Sequence, residues 1–209
     1  MIAADGSVLE HGAPPAQWDA LVAEAAPGDP APRPYLIRLG PDGGAYRVGP
    51  IAQLRVGAVT GARASAMQER WLEVGGGLAA RAVLAVHSVE AVAELLRRPA
   101  LVGGPVGEPV PVPEGPDVGV GWVDGPRGLL VHRYCTDGTG RVARATVLTP
   151  TAQNEPWLAG LLTGTATWGA DVAEAAPAME RAIREADPCL PCTSAPAGAM
   201  GVVVTEVEA

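Results

Sequence analysis

The stretch Asp187-Pro188-Cys189-Leu190-Pro191-Cys192 decides how this chain is interpreted, because two of its 3 cysteines lie there. A Cys-x-x-Cys pair places two sulfurs within reach of one metal or of each other, and Pro188 fixes the backbone that presents them. Taken alone, the pair predicts a redox dithiol, half of a zinc site, or two ligands of a metal cluster completed elsewhere. A redox dithiol fits least, because it should open a helix directly after a strand, whereas this pair follows a helical stretch.

The composition is that of a packed globular protein. The 209 residues are 48% hydrophobic with a mean hydropathy of +0.17, which is enough to bury a core. A net charge of -8 without a basic stripe argues against sequence-independent binding of nucleic acid. No apolar run is long enough to span a bilayer, and residues 1–6 lack the features of a signal peptide. A cytoplasmic location with reduced thiols is therefore expected.

Four stretches of the sequence predict helices, at residues 62–74, 78–98, 155–167 and 171–186. In the second of these, apolar residues recur on one face, namely Leu78, Ala82, Val86, Val89, Val92 and Leu96. Arg97, Arg98 and Pro99 then follow as stop signals. The last helix is expected to begin at Asp171 and to end at Asp187.

Turn residues divide the rest of the chain. Residues 1–34 are expected to be a loop-rich segment with one short helix around residues 17–25. Residues 35–39 and 45–48 predict a β-hairpin around the turn at 41–44, and β-branched runs on both sides of Asp137-Gly138 predict another. Residues 99–118 predict a Pro-rich connector without helix or strand, and residues 201–207 a short strand. The expected organisation is an N-terminal segment, 1–34, and an α+β domain, 35–209, of long packed helices and hairpins.

Three co-linear motifs resemble those of nickel-iron hydrogenase large subunits, most closely the cytoplasmic, cofactor-coupled group. The family's Asp-Pro-Cys-x-x-Cys-x-x-His is matched from Asp187, with Ala195 in the position of the histidine. Its Tyr-Arg-Val-Gly-Pro-Leu-Ala-Arg-Leu-Asn is matched from Tyr46, with Gln53 in place of the second arginine. Its Glu-Ala-Pro-Arg-Gly-x-Leu-x-His-His-Tyr is matched over residues 124–134, and a Thr-x-x-Asn segment follows at residues 151–154. The resemblance covers about residues 35–205 and implies the fold of the C-terminal half of such a protein.

The resemblance also implies a set of site residues. In that family four cysteines hold a nickel and an iron, and the iron carries carbon monoxide and cyanide. Cys189 would be a catalytic, terminal nickel ligand, and Cys192 a thiolate that bridges nickel to iron. Arg127 would place its guanidinium over the metals and donate to a cyanide, a catalytic and cofactor-binding role, while Pro150 and Thr151 would bind the other cyanide. For Arg127 taken singly, a surface salt bridge is the alternative.

The function implied is that of the C-terminal part of a split hydrogenase large subunit, which cleaves H2 reversibly and passes electrons to an iron-sulfur subunit. Residues 1–134 hold no cysteine, so the family's Arg-x-Cys-Gly-x-Cys motif is missing. The other two cysteine ligands are therefore expected from a chain that carries the N-terminal half, because Cys135 is predicted to lie at a hairpin turn. Further expected partners are the small subunit with its iron-sulfur clusters and subunits that reduce NAD(P) or another cofactor.

The alternative is a hydrogenase-like scaffold or electron-transfer subunit that has lost the nickel-iron site. The missing half, Ala195 and Gln53 favour it, and the cysteine pair would then bind zinc or nothing. Under either hypothesis the apolar faces of the helices at 78–98 and 171–186 are expected to pack on a partner chain.

Overall fold

A computed structural model of the chain describes residues 1–29, 31–57, 59–103, 107, 115–165, 172–190 and 195–203. Its helices are α1 (Trp18–Leu21), α2 (Gly40–Gly43), α3 (Pro50–Arg55), α4 (Ala62–Val74), α5 (Gly77–Leu95), α6 (Pro99–Gly103), α7 (Pro150–Gln153), α8 (Glu155–Thr165) and α9 (Val172–Ala186). Its strands are β1 (Val22–Glu24), β2 (Pro34–Leu36), β3 (Asp117–Gly125), β4 (Gly128–Thr136) and β5 (Val142–Leu148). The α+β class predicted from the sequence is confirmed.

The larger sheet is antiparallel, with the strand order β3-β4-β5. Its second hairpin turns at Asp137, whose Oδ1 accepts from the backbone N–H groups of Thr139 and Arg141. Such an aspartate supplies the local acceptor that a tight turn needs, so the predicted hairpin at Asp137-Gly138 is confirmed. Cys135 pairs with Arg144 within β4 rather than lying in the turn itself, which corrects its expected position.

The hairpin predicted for residues 35–48 is wrong. β2 pairs instead with β1, and Tyr35 lies opposite Ala23. The intervening residues form a 3-10 turn and α2, for which Gly40 adopts φ +74°. Arg47 pairs with Ile2, through Arg47 N–H to Ile2 O at 2.8 Å and Ile2 N–H to Arg47 O at 3.0 Å. In both pairings the partner comes from residues 1–24 and not from the other half of the predicted hairpin.

Three smaller expectations also change. The helix predicted around residues 17–25 ends at Leu21 and is followed by β1. The connector predicted at 99–118 contains regular structure at both ends, namely α6 and the start of β3. Proline is compatible with the first position of a helix, and Pro99 occupies that position in α6. Residues 201–203 form no strand, and 204–207 lie outside the described residues. The predicted division at residue 34 stays a prediction.

The core has two clusters of buried side chains. The first joins the N-terminal segment to the larger sheet through Trp18, Val22, Leu36, Tyr46, Val48, Val131 and Leu148. The second lies between α3, α4 and α5 and consists of Leu54, Trp71, Ala80 and Val83. None of the described helices combines the length and the hydropathy that a bilayer span requires.

Carboxylates from other parts of the chain cap the long helices. Glu90 of α5 accepts from the first backbone N–H groups of α4, at Arg63 (3.2 Å) and Ala64 (3.0 Å). The N-cap of α4 is Gly61, with φ +107°, and a Cβ there would collide with the Glu90 carboxylate. Glycine at this position therefore makes room for an acceptor that binds the positive end of the helix dipole.

We expect Glu90→Gln to lower the free energy of unfolding at pH 7. The N–H groups of Ala64 and then Arg63 hold the pKa of Glu90 below its usual range. The Glu90 carboxylate therefore stabilises the fold above the ordinary glutamate pKa of about 4.3, and this contribution is lost as the pH falls through the lower folded pKa. In urea denaturation, the difference between variant and wild type should shrink towards about pH 3.

The matched control is Glu73→Gln, which changes an exposed carboxylate on α4 and should leave the urea midpoint unchanged at both pH values. A difference for Glu90→Gln that stays the same from neutral to acid pH would show that the charge of Glu90 does not act as the cap.

Candidate functional site

Three of the predicted site residues come together from separate parts of the fold. Arg127 lies in the turn between β3 and β4, Thr151 in α7, and Cys189 just beyond the end of α9. A small cleft is lined by Arg127, Thr151, Asn154, Leu158, Ala186, Asp187 and Pro188. The thiol-bearing Cys189 follows Pro188 directly and is exposed.

Arg127 is positioned by a close contact between two backbones. Gly125 pairs with Gly128, so Pro126 and Arg127 form the two-residue turn. A Cβ at Gly49 would lie 2.5 Å from the carbonyl oxygen of Arg127, and a Cβ at Gly128 would lie 2.7 Å from Gly49 N. Both glycines have positive φ, +97° and +126°. Only glycine permits this approach, which fixes the turn against the start of α3.

The guanidinium of Arg127 has an unused donor at the cleft. Its Nε lies 3.5 Å from Asp187 Oδ2, and the Arg127 side chain is 37% exposed. The Nε atom is itself buried and makes no hydrogen bond to any described residue. A buried N–H without an acceptor is costly, so an acceptor that enters this cleft would bind favourably.

Thr151 holds the backbone of Cys189. The Cys189 N–H donates to Thr151 Oγ1 at 2.9 Å. Thr151 is set by α7, which begins at Pro150 and is N-capped by Thr149, whose Oγ1 accepts from Ala152 N–H at 3.2 Å. Because Oγ1 of Thr151 only accepts in this bond, its hydroxyl proton remains available to a ligand.

Asp187 reverses the chain between α9 and Cys189. Its N–H still bonds to Ile183 O at 2.8 Å, but its φ of +49° is left-handed, and Pro188 cannot continue the helix. Its carboxylate lies near two arginines, Arg127 at 3.5 Å and Arg81 at 3.8 Å. From the sequence, Asp187 was identified as the end of a helix and the first residue of the cysteine motif without a role in the site, and Arg81 was missed.

Arg81 and Glu185 cap each other's helices. The carboxylate of Glu185 accepts from Gly77 N–H and from Leu78 N–H, the first donors of α5. In return Arg81 donates to the last carbonyls of α9, at Arg184 (2.6 Å) and Glu185 (3.1 Å). Each charge meets the end of a helix dipole of opposite sign. This reciprocal pair locks the end of α9, and with it Asp187 and Cys189, to the start of α5.

The other two cysteines of the chain are Cys192 and Cys135. Cys192, the second predicted metal ligand, lies outside the described residues. Cys135 is half-buried in β4 and accepts from Arg133 Nη1 at 3.0 Å. Within the described parts of the chain, no three His, Cys, Asp or Glu side chains form a cluster that could hold a metal ion. The roles given to Arg127, Pro150, Thr151, Cys189 and Cys192 stay predictions.

Known proteins similar to this chain are hydrogenase subunits. The beta subunit of the NAD-reducing hydrogenase HoxS of Cupriavidus necator is 31% identical over 191 residues, which cover 84% of the chain. This chain is a homologue of hydrogenase subunits. One subunit of the F420-non-reducing hydrogenase of Methanothermobacter thermautotrophicus is 32% identical over 174 residues, 77% of the chain. No protein-family model matches the chain.

A solved structure shares the fold of this hydrogenase homologue. An NAD+-reducing NiFe hydrogenase in the H2-reduced state matches 87% of the chain with a TM-score of 0.73 and 28% identity. The chain covers 43% of that protein chain, and 39% and 37% of the two curated relatives. The chain thus spans about two fifths of the hydrogenase subunits that it resembles.

We expect Thr151→Val to loosen the segment around Cys189, because a methyl group cannot accept from the Cys189 N–H. Losing one such hydrogen bond costs about 1 kcal/mol. The measurement is hydrogen exchange at the Cys189 amide, which should become several times faster. Thr151→Ser keeps the acceptor and should exchange like wild type. Equal protection in both variants would mean that Thr151 does not hold this backbone.

Proposed function

We propose that the chain is the C-terminal part of a split nickel-iron hydrogenase large subunit that contributes Cys189 and Cys192 to a Ni-Fe centre. The observation that carries this proposal is that Arg127 and Thr151 line one cleft and that Thr151 also binds the backbone of Cys189, although these residues lie up to 62 positions apart in the chain. Homology to hydrogenase subunits supports it independently.

The described residues fit one side of such a centre. Cys189 offers an exposed thiol, and Arg127 offers a buried Nε–H that lacks an acceptor. Cys189 and Cys192 would hold the metal pair, while Arg127 and the Thr151 hydroxyl would each donate a hydrogen bond to one of its cyanide ligands. Soft thiolates stabilise low-valent nickel, and the metal pair supplies heterolytic cleavage of H2. Two further thiolates are needed, from the chain with the N-terminal half.

A metal or charged ligand at Cys189 would be oriented by the chain's own charges. Arg127 and Arg81 both face the Asp187 carboxylate, so the cleft carries a net positive charge from these three side chains. That charge favours an anionic ligand beside Cys189. Asp187 in turn keeps the Arg127 guanidinium at the cleft.

The exposed face of α5 supports a partner chain. Six apolar residues at helical spacing form the α5 stripe, namely Leu78, Ala82, Ala85, Val89, Val92 and, at the C-cap, Leu96. Leu78, Val89 and Leu96 are each about 70% exposed. A stripe of five turns at 3.6-residue periodicity is typical of helix packing. We assign it to the chain with the N-terminal half. An iron-sulfur small subunit and subunits that reduce NAD(P) or another cofactor would complete the complex.

We expect Val89→Glu to weaken assembly with that chain by at least about tenfold, because assembly would bury the new carboxylate in an apolar interface. The measurement is co-purification of the partner with the tagged chain. Val74→Glu, on the exposed end of α4, is the matched control and should keep the complex. If Val89→Glu still retained the partner, the α5 stripe would not be part of the interface.

The second candidate is a hydrogenase-like scaffold or electron-transfer subunit without the metal pair. Ala195 favours it, because alanine has no ligand where the resembled motif has histidine. The Ala195 carbonyl accepts from Arg184 Nη2 at 2.7 Å, so the segment is held by a protein side chain at this point. The cytoplasmic location expected from the sequence also stays a prediction.

Elemental analysis and infrared spectroscopy of the natively purified complex separate the two candidates. For the hydrogenase we expect nickel, iron and the stretching bands of metal-bound cyanide and carbon monoxide, and Arg127→Lys should shift the cyanide bands because it removes the fork of donors. Cys189→Ala should abolish the nickel signal. A complex that contains every subunit but neither metal would be the scaffold.

A further inference from the structure

A second polar groove lies on the side of the molecule formed by the N-terminal loop, α3, α4 and α8. Its volume is about 310 Å³. Two arginines, Arg47 and Arg55, line it, together with two indoles, Trp71 and Trp157. Neither arginine belongs to the site described above.

Both arginine side chains are held by stacking. The Arg47 guanidinium carbon lies 4.9 Å from the centroid of the Trp157 ring, and that of Arg55 lies 5.4 Å from the Trp71 ring. Trp71 is buried and fixed by a hydrogen bond from its Nε1 to Gly76 O at 2.8 Å. Cation–π stacking of this kind orients a guanidinium while leaving its in-plane donors free.

The positive charge of the groove is not neutralised by an ion pair. Neither Arg47 nor Arg55 takes part in the ion pairs formed among the described residues. Arg47 Nη2 donates to Ala4 O at 3.3 Å, but its Nε is buried with no hydrogen-bond partner in the described chain. Burial and then the charge of Arg55 lower the pKa of Arg47.

Two acidic residues, Asp5 and Glu185, also line the groove, and both already have other partners. Asp5 accepts from the N–H and the hydroxyl of Ser7. Glu185 accepts from the first N–H groups of α5. They attract Arg47 only from beyond ion-pair distance. The groove therefore combines two adjacent cations, a buried unpaired donor and two flat apolar walls.

We propose that this Arg47–Arg55 groove binds an oxyanion, a carboxylate or a phosphate, between the two guanidinium groups. Arginine forks match the geometry of both anions, and the anion would supply the acceptor that Arg47 Nε lacks. The oxyanion comes either from a free small molecule or from an acidic side chain of the partner chain. The proposal is independent of the nickel-iron centre.

The test is titration of the full chain with inorganic phosphate and, separately, with glutarate, followed by the fluorescence of the stacked indoles. We expect saturable binding that Arg55→Met weakens by about tenfold, the usual effect of losing one charged hydrogen bond. Arg55 is exposed, so this variant should remain folded. Arg47→Lys keeps the charge but not the planar fork and should weaken binding as well.

Arg97→Met is the matched control, because it removes an exposed arginine beyond the end of α5 and should bind like wild type. Repeating the titration on the assembled complex identifies the source: loss of phosphate binding on assembly points to a partner carboxylate, and retained binding points to a free anion. Absence of saturable binding to the chain, or an equal loss in the Arg97→Met variant, would overturn the proposal.

Discussion

The side chain of Asn154 joins the parts of the fold on which the site depends. Its Oδ1 accepts from Val48 N–H at 2.9 Å, and its Nδ2 donates to Val48 O at 3.2 Å and to Arg127 O at 3.5 Å. One buried amide thus acts as a short strand partner for Val48 and as an anchor for the turn at Arg127. Every polar atom of this amide is satisfied, and such a network specifies one arrangement of the surrounding elements.

Capping at a distance is the second organising device of the structure. Glu90 caps α4 from α5, and Glu185 caps α5 from α9. The N-caps of α4 and α5 are glycines, which cannot cap with a side chain of their own. Each cap is therefore also a tertiary contact, so the helix ends and the packing of the helices are formed together.

The two surfaces left open by this packing differ in chemistry. The α5 stripe is apolar and lies along one helix, whereas the Arg47–Arg55 groove is lined by two arginines and two carboxylates and lies at the junction of four elements. Both lie next to the reciprocal pair of Arg81 and Glu185, which joins the start of α5 to the end of α9. The chain covers about two fifths of the length of the two curated relatives.

The sequence by itself determined the local features. Helix α4 was predicted with its observed ends, Ala62 and Val74, and the hairpin at Asp137 was predicted because turn residues act on their immediate neighbours. Helices α8 and α9 were also predicted from the sequence. The motifs also indicated Arg127, Thr151 and Cys189 as candidate residues of one site.

Only the tertiary structure decided the pairings between distant residues. Tyr35 pairs with Ala23, and Arg47 with Ile2, although the sequence around residues 35–48 has the pattern of a hairpin. Arg81 carries no local signal at all, because its role depends on the end of α9, more than 100 positions away. Helix propensity and turn chemistry act over a few residues. Strand pairing, helix caps supplied by distant residues and the shapes of clefts depend instead on the free energy of the whole packed chain.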